Sequence, residues 1–130
     1  MVYDKNNIFA KILRNEIPCK KIFENKYVLS FYDINPQKKV HALVIPKGEY
    51  INLDDFNQRA TDSEIVALSK AITEVAKKLE ISVDKGKGYR ALTNLSEHGS
   101  QEVPHLHFHL FGGENVGRMV EWKKKFLGSI

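Results

Sequence analysis

A single cysteine, Cys19, stands in 130 residues, so no disulfide can form within the chain. That usage fits a reducing compartment. No apolar run approaches the ~20 residues that a membrane-spanning helix needs. The opening stretch MVYDKNNIFAKI is charged and polar from the start, unlike a secretory leader. A cytoplasmic location with no membrane partner is therefore expected. Low-complexity tracts, internal repeats and linkers are also missing, which points to one domain over 1–130. Excess charge is modest: 20 Lys and Arg against 16 Asp and Glu, a net +4. Its one dense run is WKKKF, Trp122 to Phe126, without an aromatic-rich RNA signature or zinc-finger spacing. It reads as a solvated face, and no nucleic-acid partner is expected.

What is present is an alternation of short patterns. Apolar residues at Ile8, Phe9, Ile12 and Leu13 have helical spacing, ended by Asn15 and Pro18. KKIFENKYVLSFYD predicts two strands around a tight turn at Asn25 and Lys26, and VHALVIP, Val40 to Pro46, a third. A short helical turn is expected near LDDFN. In TDSEIVALSKAITEVAKKLE, Thr61 and Glu64 make a capping box, and Ile65, Leu68, Ile72, Val75, Ala76 and Leu79 form one apolar stripe. This is a core-packing helix. The glycines of DKGKG suit a bend better than a phosphate cradle, because no helix follows them. GYRALTN and HLHFHLF then read as fourth and fifth strands, separated by the polar loop LSEHGSQEVP. The order predicts an α+β domain with mostly antiparallel strands.

Three of the five histidines, His105, His107 and His109, fall at every second position. On a strand they share one face, while Leu106, Phe108 and Leu110 share the other and suit packing against the long helix. A lone histidine is usually an ordinary core or surface residue, but three in register point to a site. One chemistry for such a row is metal ligation. His105 and His109 would lie about 13 Å apart along a strand, too far to share an ion. A metal would need two of the three and a distant ligand such as His41, His98 or a carboxylate. The other chemistry is nucleophilic attack at phosphorus by a neutral central imidazole, with its neighbours stabilising charge and protonating a leaving group. Such an enzyme should lose activity below pH about 6, near the ordinary histidine pKa.

HLHFHLF resembles the His-x-His-x-His motif of the histidine-triad (HIT) family of nucleotide hydrolases and transferases. IFAKILRNEIPCKKIFEN, SFYDINPQKKVHALVIPK and TNLSEHGSQEVPHLHFHLFGG resemble successive blocks of its Hint-type branch, together covering about 7–113 and leaving a tail over 114–130. The resemblance implies a five-stranded antiparallel sheet with a long helix and a short N-terminal helix, joined to a second sheet across a homodimer. It implies hydrolysis of purine nucleoside phosphoramidates, with dinucleoside polyphosphate hydrolysis or a nucleotide-binding regulatory or scaffold role as alternatives.

By the same resemblance His107 is the nucleophile, His105 and His109 contact the phosphate, and His41 supports them. Asp33 holds the ribose hydroxyls; taken alone it would be a turn former before Asn-Pro. Phe9, Ile12, Phe31, Ile34 and Leu43 form the apolar slot around the purine. Asn94, Ser100, Gln101 and Glu102 hold the phosphate. The family's N-terminal Cys-x-x-Cys is replaced by Asn7-Ile8-Phe9-Ala10, so no structural zinc and no cofactor are expected. Ser100 and Glu102 stand where Hint-type phosphoramidases often carry Gly and Ser, which bears on the leaving group.

Overall fold

The computed structural model describes residues 2–120. The lysine run and most of the tail lie outside the described residues. Asn7 opens the first element: its side chain accepts the Ala10 amide hydrogen at 2.9 Å and starts α1, Ile8–Leu13. Asn15 then takes a positive φ of 62°, a conformation Asn tolerates better than most residues, and the helix stops. Five strands follow: β1 (Lys21–Glu24), β2 (Val28–Tyr32), β3 (Val40–Pro46), β4 (Arg90–Leu92) and β5 (Phe108–Gly112). They form one sheet in the order β1-β2-β3-β5-β4, every pair antiparallel. LDDFN is more than a turn: α2 runs Leu53–Arg59, capped by Asn52, whose side chain accepts the Asp55 amide hydrogen at 2.9 Å.

The long helix α3 (Asp62–Lys78) begins with the expected capping box between Thr61 and Glu64. Leu68, Ala71, Val75 and Ala76 are its buried residues, each large apolar side chain contributing about 1.5–3 kcal/mol by leaving water. Leu68, Ala71 and Val75 pack with Val28, Ala42, Val44, Leu106 and Leu110 into one apolar cluster. A second cluster joins Phe9 and Ile12 of α1 to Leu29, Phe31, Leu43 and Ile45. Side-chain alternation on β2 and β3 supplies alternate residues to each cluster, so the sheet separates α3 from α1.

Register decides what the α1 side carries. His41 pairs with Phe111 and Leu43 with His109, while Ala42 opposite Leu110 serves the α3 side. The last two strands are shorter than the sequence pattern suggests. β5 begins at Phe108, so His105 and His107 precede it. Pro104 has no N–H to give a ladder, and the next amides go elsewhere: His105 N–H to Val103 O at 2.9 Å and Leu106 N–H to Tyr50 O at 2.8 Å. The Thr93 hydroxyl donates to the His107 carbonyl at 2.7 Å, and β4 pairing ends at Leu92. Among the described residues, no helix is long and apolar enough to cross a membrane.

Candidate active site

The three triad imidazoles do not have equivalent surroundings. His105 is fully buried. Its Nε2–H donates to the Pro46 carbonyl at 2.9 Å, which leaves Nδ1 as an acceptor for the Tyr3 hydroxyl at 2.5 Å. His107 Nδ1 lies 2.7 Å from the His105 carbonyl. A carbonyl only accepts, so the ring proton sits on Nδ1 and Nε2 keeps its lone pair. His109 is the first of the three inside β5, with its ring centroid 5.0 Å from that of His107.

His41 completes the set from β3. The Gln37 amide N–H donates to His41 Nδ1 at 3.1 Å, so His41 carries its proton on Nε2. That Nε2 is 2.9 Å from His109 Nδ1 and 3.5 Å from Asp33 Oδ2. The chain of donors runs from Gln37 through His41 to His109, whose own proton is thereby on Nε2. Phe111 stacks parallel to His109, interplanar angle 3°, and lies 4.3 Å from the His41 ring. Sequence alternation could have revealed Phe111, two residues beyond His109 on the same side.

Burial keeps these rings neutral. Desolvation is the main cause lowering the pKa of His107, opposed by its bond to the His105 carbonyl and by the charges of Asp33 and Glu102. Desolvation and then the neighbouring His107 and His41 push His109 down to about 4. His105 also falls to about 4, chiefly through burial. Burial lowers His41 too, against the pull of Asp33.

Asp33, His41 and His109 bring ligand atoms within 4.8 Å of one another. A metal site built on the triad would need two of its histidines; here only one, His109, takes part. With Gln37 holding His41 Nδ1, the nitrogen facing the other two groups is the protonated one, so the set is arranged as a hydrogen-bond chain rather than a ligand cage.

A cavity of about 350 Å³ lies against His107 and His109 and is bounded by Phe9, Leu43, Asp33 and Asn94. Ser100, Glu102 and Val103 close its other side. Six of the expected site residues are outside its walls: His41 and His105, which bond to His109 and His107, and Phe31, Ile12, Ile34 and Gln101. Phe31 and Ile12 are buried behind Phe9, with the Phe9 and Phe31 rings edge-to-face at 5.7 Å. Ile34 is 90% exposed on the turn after Asp33 and contributes no wall. Gln101 faces inward: its amide donates to Ile51 O and Val103 O at 2.7 and 3.0 Å and accepts the Ser96 N–H at 3.0 Å. Its polar atoms brace the loop. Gly99 is required there, because a Cβ would lie 2.4 Å from the Leu95 carbonyl oxygen. The roles of Tyr3 and of the Gln37 amide have no signal in the sequence; Tyr3 reaches His105 across 102 positions. A larger cleft, about 940 Å³, lies between residues 80–89 and 113–116, with lysines and glycines but no imidazole in its walls.

Residues 14–116 match the HIT domain family. The chain belongs to the HIT family. This HIT protein is 52% identical over 118 residues to a 13.2 kDa HIT-like protein of Azospirillum brasilense, covering 91% of this chain and 94% of that one. It is 39% identical over 119 residues to the purine nucleoside phosphoramidase of Escherichia coli K12, covering 92% and 97%. A solved structure, the HIT family hydrolase from Clostridium thermocellum, superposes with a TM-score of 0.76 at 35% identity, over 91% and 99% of the two chains.

Proposed function

We propose that this protein is a nucleotide hydrolase that cleaves the phosphorus–nitrogen bond of purine nucleoside phosphoramidates. The observation that carries the reading is the 2.7 Å bond from His107 Nδ1–H to the His105 carbonyl. It leaves a neutral imidazole with its Nε2 lone pair free, beside a cavity and a second imidazole. The 39% identity to a purine nucleoside phosphoramidase supports the substrate class.

In the proposed reaction His107 Nε2 attacks the α-phosphorus, and a new N–P bond forms as the P–N bond to the leaving amine breaks. The amine departs with a proton, which His109 Nε2–H is oriented to supply. Water then attacks the nucleotidyl-histidine and breaks the N–P bond to the enzyme; its hydroxyl stays on the nucleoside monophosphate and its proton restores His109 Nε2–H. His41, fixed by Gln37, orients His109. The second lone pairs of the Asp33 carboxylate are suited to the ribose hydroxyls, and Phe9 and Leu43 to the purine.

The test is rapid quench of the wild type with an adenosine phosphoramidate, followed by intact-mass and peptide analysis. A nucleotidyl adduct on His107 is expected. His107→Ala should lose about 10⁴-fold or more in turnover, as removal of a nucleophile does elsewhere, while still binding nucleotide. An adduct on another residue overturns the nucleophile. Faster turnover of diadenosine tri- or tetraphosphate overturns the leaving group.

A further inference from the structure

Tyr3 lies ahead of residues 14–116, the segment that matches the family. Its place in the fold is nonetheless defined. The Asn7 side-chain amide donates to the Asp4 carbonyl at 2.7 Å, and the Asn6 amide N–H to Asp4 Oδ1 at 2.9 Å. Arg14, at the end of α1, donates to the Lys5 carbonyl at 2.8 Å. These bonds fold the N-terminal segment back across α1. They bring the Tyr3 ring edge-on to His105, centroids 5.6 Å apart, with the hydroxyl 2.5 Å from Nδ1.

That contact has a consequence for the neighbouring nucleophile. His105 is fully buried and has two ring nitrogens to satisfy. Pro46 O can only accept, so it takes the proton-bearing Nε2; Tyr3 can donate, and takes Nδ1. Without the hydroxyl, Nδ1 would be a buried acceptor with no partner, a costly state that the ring would relieve by turning. The carbonyl of this same residue fixes the His107 tautomer. We propose that Tyr3 is a positioning residue: its hydroxyl locks the His105 ring, and through the His105 backbone it holds His107 with its free Nε2 toward the cavity. Burial raises the Tyr3 pKa, so the group remains a hydroxyl able to donate.

The kinetic part rests on His107 being the nucleophile; the ring spectra described next do not. Long-range ¹⁵N–¹H spectra of the wild-type chain are expected to show His105 as the Nε2–H tautomer and His107 as the Nδ1–H tautomer. Tyr3→Phe keeps the ring and removes only the hydroxyl. It should shift the ring signals of both histidines and lower the melting temperature by no more than a few degrees. With adenosine phosphoramidate it should lower kcat about three- to tenfold, the net worth of one hydrogen bond expressed as a rate, with KM unchanged. An Nδ1–H tautomer at His105 in the wild type, or unmoved ring signals in Tyr3→Phe, overturns the proposal. Normal kcat in an active Tyr3→Phe enzyme overturns it as well. If the wild type itself turns over no phosphoramidate, the spectra still decide the role of Tyr3, and only the proposed reaction fails.

Discussion

At the scale of single residues, the site is a set of neutral imidazoles whose protons have been assigned by their neighbours. Gln37 N–H, the His105 carbonyl and the Pro46 carbonyl cannot exchange donor and acceptor roles, so each fixes one ring. This sets the pH dependence. Burial lowers the His107 pKa from the ordinary 6.5, so the neutral, nucleophilic form persists to lower pH than an exposed imidazole would allow. The acid limb of kcat/KM should therefore lie below the value near 6 suggested by the sequence alone. Measuring kcat/KM between pH 4 and 8 checks this, and an inflection at 6.5 or above would contradict it. The His41 tautomer carries a second prediction. Because its Nε2 holds a proton between Asp33 and His109, exhaustive chelation should leave turnover unchanged; loss of activity that zinc restores would count against it.

Elements matter here through what they hold still. The Glu64 carboxylate accepts the Thr61 amide hydrogen in the capping box and bonds the Tyr50 hydroxyl at 2.9 and 2.8 Å. The Tyr50 carbonyl in turn accepts the Leu106 amide, between two triad histidines. The start of α3 is thus linked to the segment that carries the site. Two substitutions separate capping from packing. Thr61→Ala should cost about 1 kcal/mol in unfolding free energy, and Leu68→Ala, in the core, about 2–5 kcal/mol. Urea unfolding of both variants measures this. Equal losses would mean that the cap and the core contribute alike.

For the whole molecule, the sheet order leaves β4 at an edge, with β5 on one side and no strand on the other among the described residues. Arg90–Leu92 is short, but its outward N–H and C=O groups are available to a partner strand. A homodimer joined along β4 is expected, with the large cleft beside Tyr89 near the junction. Light scattering at micromolar concentration should give twice the chain mass; a monomer would refute the pairing.

Local pattern alone determined much of this protein. Helical spacing and the Thr61–Glu64 box located α3, the tight turn at Asn25 and Lys26 located β1 and β2, the β-branched run VHALVIP located β3, and two-residue alternation brought three histidines to notice. These features depend on neighbours a few positions apart, where period and capping chemistry act directly. The resemblance carried by His-x-His-x-His named the family that residues 14–116 match. Only the tertiary structure decided that β5 starts at Phe108, that Gln101 faces inward and that Ile34 stays in solvent. It also decided which nitrogen of each imidazole carries the proton. The start of β5, the orientation of Gln101 and the His105 tautomer depend on Tyr50, Ile51, Pro46 and Tyr3, residues 50 to 102 positions away from the groups they bond, whereas the His107 and His41 tautomers are set by groups two and four positions away. A hydrogen-bond partner chosen across such a separation is set by how the sheet and its loops pack, which no local pattern encodes.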